Sequence, residues 1–248
     1  MNAPRFAAYS IVVTAGAFGT ISLILFGAFL LLGPLSFLDL SLGKTGALVL
    51  DGLLCLAFFI QHSAMIRLSF RNRLSRTIPR VYHGAVYAIA SGVVLLALVL
   101  LWQESGRTII EPNGLGCWLL GSFVPAAGII FIWGVRALGR FDTFGIHAIL
   151  DRIRGKDEKQ LPLAARGPYR WVRHPLYLVF LMLIWSYPTL TSDRLLFNLA
   201  WTVWVVIGTM LEERDLVAAF GDSYRDYQRK VPMLIPWRVP RDRHPGPN

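Results

Sequence analysis

Apolar residues in this chain fall into long, nearly uninterrupted runs, with neither the alternation of a half-buried strand nor the one-sided stripe of a surface helix. Six runs stand out, over residues 6–37, 46–66, 81–102, 115–135, 175–190 and 195–211. The first holds no charge at all, and the second holds Asp51 near one end. A helix that crosses a bilayer needs roughly 20 apolar residues. The last two runs are short by that measure and reach full length only by tilting or by extending into the polar zone. The pattern predicts an all-α integral membrane protein with about six transmembrane helices.

The polar residues between the runs orient it. Arg5 precedes the first run; Arg67, Arg71, Arg73, Arg76 and Arg80 separate the second and third; nine basic residues lie between the fourth and fifth, and seven follow the sixth. The alternate connections hold Lys44, Arg107 and Arg194 alone. Positive charge collects on the cytoplasmic side of a membrane protein, so both termini are expected there. The outer connections, 33–45, 103–114 and 187–194, are short and carry Gly and Pro. The inner segment 139–173 is long and mixes charge with aromatics, and Phe144, Ile146, Ile149, Leu150 and Ile153 give part of it an amphipathic pattern suited to a membrane surface. After the sixth run, Leu211, Leu216, Phe220, Tyr224 and Tyr227 recur at helical spacing, with Gly221 a weak point. Three prolines in "VPMLIPWRVP" then end the helix, and that apolar patch is expected to pack back on the cytoplasmic face.

Composition agrees: the chain is 54% hydrophobic and only 16% charged, where a soluble domain carries about 25%. The net charge of +10 follows from the positive-inside bias, so it gives no reason to expect a nucleic-acid partner. Cys55 and Cys117 both lie inside runs and read as buried apolar residues. The first run is too long for a signal-peptide core and is read as retained.

Candidate chemistry gathers on the cytoplasmic side. In "RGPYRWVRHPLYLVFLMLIW" (166–185) three arginines and a histidine abut an apolar run. Pro175 suits the first position of a helix, whose free N–H groups favour an anion. Arg170 and Arg173 add cationic forks, and Tyr169 and Tyr177 add flat amphipathic walls. The same arginines would serve equally as markers of the membrane surface. Glu212 and Glu213 end the sixth run, where a carboxylate needs a partner or water; Arg173, Arg214 or a cationic ligand could supply it, and the residues leave open which glutamate turns inward. In "IQHSAMIR", Gln61, His62 and Ser63 cannot all face lipid, which makes His62 a candidate base, although a packing role is the commoner fate of such a histidine. His62, His83 and His147 lack metal-ligand spacing, so no metal is expected. Nor is there a phosphate loop, dinucleotide fingerprint or nucleophile elbow.

Taken in order, "GPYRWVRHPLY" and "EERDLVAAFGDSYRDYQRKVPMLIP" resemble the C-terminal signature of the membrane-embedded S-adenosylmethionine-dependent methyltransferases, the superfamily of isoprenylcysteine carboxyl methyltransferases and phospholipid methyltransferases. With "QHSAMIRLSFRN", "IPR", "RFDTFGIH" and "YPTLTSDRLLFNLAWT" added, the chain is most similar to the bacterial methanethiol S-methyltransferases of the nurim-like group over about residues 59–236. It departs from that pattern at "VYHG" after "IPR", where Glu-Arg-Ser is expected, and at "FGIHAI", where Phe-Gly-Leu-Arg-Gln is expected.

The resemblance implies one membrane methyltransferase domain over residues 1–248, with an N-terminal four-helix part (6–138) and a C-terminal donor-binding part (139–248). It implies S-adenosylmethionine as cofactor in a site on the cytoplasmic side, bound by Tyr169, Arg173, His174, Pro175, Tyr177, Glu212 and Glu213. Arg173, Glu213 and His62 are then the candidates for catalysis. The implied acceptor is a small apolar thiol such as methanethiol, giving dimethyl sulfide, in a bacterial inner membrane whose lipid the acceptor can cross. Two alternatives stay open: methylation of a lipid amine or isoprenylcysteine carboxylate, and a non-catalytic nurim-like scaffold.

Overall fold

A computed structural model describes residues 3–139, 142–156 and 165–238 of the 248-residue chain. The chain runs α1 (Ala3–Leu32), α2 (Lys44–Ile66), a short α3 (Leu68–Leu74), α4 (His83–Leu101), β1 (Thr108–Ile110), α5 (Leu115–Gly121), α6 (Phe123–Leu138), α7 (His147–Ile153), α8 (Pro175–Ile184), β2 (Leu190–Thr191), α9 (Ser192–Phe220) and α10 (Asp222–Lys230). Single 3-10 turns cover Arg80–Tyr82 and Gly167–Arg170. Five helical stretches among the described residues are long and apolar enough to cross a membrane: Arg5–Leu32, Lys44–Ile66, Arg80–Leu101, Leu115–Leu138 and Ser192–Phe220. The protein is an integral membrane protein of helical class, as the apolar runs predict.

Local chemistry moved several boundaries. The fifth run yields only the ten residues of α8, because Trp185, Ser186, Tyr187 and Pro188 follow it. The sixth becomes a helix of 29 residues that carries Glu212 and Glu213 well inside its last turns. The helix expected to continue through the tail breaks at Gly221, whose φ of +59° is open to glycine and costly for other residues. Strands β1 and β2 pair antiparallel across two outer connections, a ribbon too short for any periodicity to announce.

Two compact units emerge. The first comprises Met1–Gly114, Asp142–Leu161 and Tyr187–Trp204; the second comprises Leu115–Phe141, Pro162–Ser186 and Val205–Asn248. In the first, Phe26, Phe29, Trp102, Phe197 and Trp201 form an aromatic core of stacked, tilted and edge-to-face pairs with ring centroids 5.2 to 6.2 Å apart. Helix α7 belongs to this unit. Its Ile149 is buried with Ala8, Ala15 and Ala85, while Ile146 and Ile153 pack alongside, so protein covers the face that its pattern suggested for a membrane surface.

In the second unit, α6 carries the Gly167–Arg170 turn. Gly167 takes φ +58°, and a side chain there would press within 2.9 Å of Ala137 and 3.0 Å of the Trp133 indole nitrogen. Arg166 donates its Nε–H to the Ala137 carbonyl at 2.6 Å. The glycine of "GPYR" therefore lets the chain cross tightly over α6, and Pro175 then starts α8 at its first position.

Candidate active site

Five donors converge on one carboxylate in the second unit. Glu213 Oε1 accepts from Arg173 Nε at 2.8 Å, from Tyr224 Oη at 2.7 Å and from His174 Nε2 at 2.7 Å. Its Oε2 accepts from Arg173 Nη2 at 2.7 Å and from Gln228 Nε2 at 2.6 Å. A carboxylate offers about four lone-pair positions, so Glu213 is saturated, and donors that surround it in this way hold it as the anion. Arg173 is committed to the same degree. Beyond the two-pronged grip on Glu213, its Nη1 donates to the carbonyls of Gln228, at 3.1 Å, and of Val231. The Arg173 and Glu213 side chains are each only 9% exposed, and a bidentate pair kept from water is the strongest geometry open to these groups.

Glu212 has the opposite surroundings. Its side chain is 44% exposed and accepts one hydrogen bond, from the Tyr177 hydroxyl at 2.7 Å. His174 lies between the two glutamates: one ring nitrogen faces Glu213, and Nδ1 lies 3.7 Å from Glu212. The imidazole stacks on the Tyr177 ring, with centroids 5.5 Å apart and planes 8° from parallel. The result is an open carboxylate beside a flat aromatic wall, backed by a buried ionic cluster. Tyr227 donates to the Tyr169 carbonyl. Burial holds the Tyr169 hydroxyl in its protonated form, raising its pKa to about 12, and the Glu212 charge adds to that shift. Burial likewise pushes Tyr224 and Tyr227 well above the usual tyrosine range, and for Tyr224 the hydrogen bond it gives Glu213 adds to the shift.

Tyr169, Arg173, His174, Pro175, Tyr177, Glu212 and Glu213 thus all belong to the second unit. His62 belongs to the first. There the Tyr87 hydroxyl lies 2.6 Å from its Nε2, among the rings of Phe58 and Trp204, and the neighbouring Ser63 accepts the Trp204 indole N–H at 3.1 Å.

Known proteins resemble this chain over most of its length. The methanethiol S-methyltransferase of Pseudomonas deceptionensis is 38% identical over 197 residues, covering 77% of this chain and 73% of the relative. That of Mycobacterium tuberculosis is 32% identical over 203 residues, covering 77% and 79%. The chain belongs to the methanethiol S-methyltransferase family. Nurim of Rattus norvegicus is a more distant relative, 24% identical over 182 residues and 68% of each chain. No family profile and no solved structure matches.

For this membrane methyltransferase, the geometry answers a question that the residue pattern left open: Glu213 turns inward and Glu212 faces out. It also adds members that sequence reasoning passed over. Tyr224 and Gln228 reach Glu213 from α10, where their spacing of four places them on one face. Tyr224 was legible only as an apolar repeat, and Gln228 gave no signal of its own. The carbonyls of Val231, Pro232 and Met233 also take part, and no sequence pattern marks a carbonyl.

Proposed function

We propose that the chain transfers a methyl group from S-adenosylmethionine to methanethiol, giving dimethyl sulfide, from a donor site on the cytoplasmic side of a bacterial inner membrane with both termini in the cytoplasm. The names of its relatives support the reaction, and the unequal pair Glu212 and Glu213 is the observation that carries the site. The donor has a cationic sulfonium and ammonium, a carboxylate and an adenine. The residues fit that set: Glu212 offers a half-exposed carboxylate for the cationic end, and the Tyr177 and Trp171 rings, 37% and 41% exposed, offer flat apolar faces for the base. When bound, the donor supplies an electrophilic methyl group. Arg173 and Glu213 tie the "RHP" turn to α9 and α10 and thereby fix the positions of His174 and Tyr177. They are positioning residues in this reading, since their bonds to each other and to main-chain carbonyls leave little for a ligand.

The thiol must lose its proton before it can attack, and His62, bonded to Tyr87, is the candidate base. Methyl transfer is an in-line displacement, so positioning and exclusion of water carry most of the rate. Headspace dimethyl sulfide from cells that express the protein and are fed methanethiol tests the reaction. Product above the empty vector that falls at least tenfold in Glu212→Gln is expected. A folded protein that binds S-adenosylmethionine but gives no dimethyl sulfide would refute the thiol acceptor and favour a lipid amine or isoprenylcysteine carboxylate. A folded protein that does not bind the donor would favour the scaffold.

A further inference from the structure

The segment that follows α10 builds the site with its backbone. The carbonyls of Pro232 and Met233 accept the main-chain N–H groups of Arg173, at 2.9 Å, and His174, at 3.1 Å. Leu234 is buried beneath it. Pro175, the residue after His174, opens the apolar helix α8, so these bonds pin the strap at the boundary where polar chain gives way to apolar helix.

Immediately beyond, the polarity of the strap reverses. Ile235 is 67% exposed and Trp237 65% exposed, and a bond from the Trp237 N–H to the Ile235 carbonyl holds the two together in a turn. Arg238 reaches back to the Arg229 carbonyl at 3.0 Å. Around them, Arg225 and Arg229 are answered by Asp222 and Asp226, which among the described residues leaves Lys230 and Arg238 in excess. A tryptophan and an isoleucine open to solvent, flanked by Lys230 and Arg238 and fixed at a polar–apolar boundary, match the chemistry of a lipid–water interface. There an indole has both an apolar layer and polar partners, and basic residues meet anionic headgroups.

We propose that Ile235 and Trp237 seat this strap in the interface of an anionic membrane, and that the seating holds Pro232 and Met233 on Arg173 and His174, so that lipid contact sets the affinity of the methyl-donor site. A second copy of the chain fits less well, because two side chains ringed by like charge make a small and repulsive contact. The coupling rests on the donor-site reading above; the seating does not.

The test uses the full chain in nanodiscs of phosphatidylcholine, with and without phosphatidylglycerol. A spin label at Trp237→Cys, with Cys55 and Cys117 replaced by alanine, is compared with one at Arg225→Cys. The label at 237 is expected to collide more with oxygen than with a water-soluble nickel chelate, and the label at 225 the reverse. Equal access of the nickel chelate to both positions overturns the seating, as does immobilisation at 237 that appears only when discs hold two copies. In mixed-lipid discs the double variant Ile235→Ser, Trp237→Ser should raise the Kd for S-adenosylmethionine about fivefold, and removing phosphatidylglycerol should do the same to the unaltered chain. An unchanged Kd in both cases overturns the coupling while the donor site stands. No donor binding by the unaltered chain in any disc overturns the donor site itself, and with it the coupling, while the depth result still decides the seating.

Discussion

Arg194 in the first unit and Arg173 in the second are both shielded from water and held by several partners, yet the partners differ in kind. Arg194 donates to the carbonyls of Phe29, at 3.1 Å, and Leu30, at 2.7 Å. These lie in the last turn of α1, where helix carbonyls run short of main-chain partners; Phe29 has the Gly33 N–H, at 3.2 Å. The rings of Tyr187, Phe29 and Phe197 lie 4.9 to 5.7 Å from its guanidinium carbon. The adjacent Asp193 instead accepts the Ser105 N–H at 3.1 Å and the Trp102 indole N–H at 3.3 Å. Arg194 closes a helix end and is buried there, 1% exposed. Arg173 grips a carboxylate whose sequence neighbour, Glu212, is left open. The first arrangement ends in the fold; the second borders a group still able to bind something.

Replacing each arginine separates the two roles most sharply. Arg173→Ala leaves Glu213 charged and largely buried, a defect worth about 3–5 kcal/mol, and frees the turn that carries His174 and Tyr177. Calorimetry should find donor affinity down roughly a hundredfold or more, a change of about 2.7 kcal/mol in binding, together with a lowered melting temperature. Arg194→Leu leaves the Leu30 carbonyl of α1 without the guanidinium, at about 1–3 kcal/mol, while the Phe29 carbonyl keeps its bond from the Gly33 N–H. It should therefore lower the melting temperature as well, but leave donor affinity within about twofold. If Arg194→Leu weakens the donor as much as Arg173→Ala does, the two arginines do not differ in the way their partners indicate.

The two glutamates repeat the contrast on a smaller scale. Glu213→Gln replaces one acceptor oxygen with an NH2 that faces donors, so stability and donor affinity should fall together. Glu212→Gln disturbs one exposed hydrogen bond from Tyr177 and should leave the melting temperature within a degree or so, while donor affinity falls about tenfold, or 1.4 kcal/mol. A Glu212→Gln protein with unaltered donor affinity would move the cation-binding role away from Glu212.

What the chain reveals in advance follows the same division. The spans were legible because a bilayer demands long apolar runs, and the candidate site was legible as a neighbourhood because "RHPLY" and "EERDL" crowd charge where hydrocarbon disfavours it. The order within the neighbourhood was not. Glu212 and Glu213 are adjacent and alike, and only the rotation of α9 with the arrival of Tyr224 and Gln228 from α10 decides which one turns inward. Arg194 reads from sequence as a loop residue beside an outer turn. Its burial depends on Phe29 and Leu30, more than 160 positions earlier. Contacts of that range leave no periodicity, and the same holds for main-chain acceptors such as Pro232 and Met233.

The smallest effect concerns the tyrosines of the second unit. Tyr169, Tyr224 and Tyr227 all have pKa values raised by burial above the ordinary value of 10.0. A raised value means that the folded chain keeps protons which the unfolded chain releases. The stability these groups contribute is therefore complete below pH 10 and declines as pH rises, for Tyr169 through its folded value of about 12. Each such group should contribute a slope of roughly 1.4 kcal/mol per pH unit above 10, less whatever water screens. Tyr224→Phe separates charge from packing. It loses the hydrogen bond to Glu213 and should melt lower than the unaltered chain at about pH 8, by the 1 kcal/mol or so of such a bond. It should then lose less on going to about pH 11, because one ionisable group has gone. Parallel losses for the two proteins would show that Tyr224 ionises in the folded state as readily as in the unfolded one, and that Glu213 is more open to water than its five donors imply.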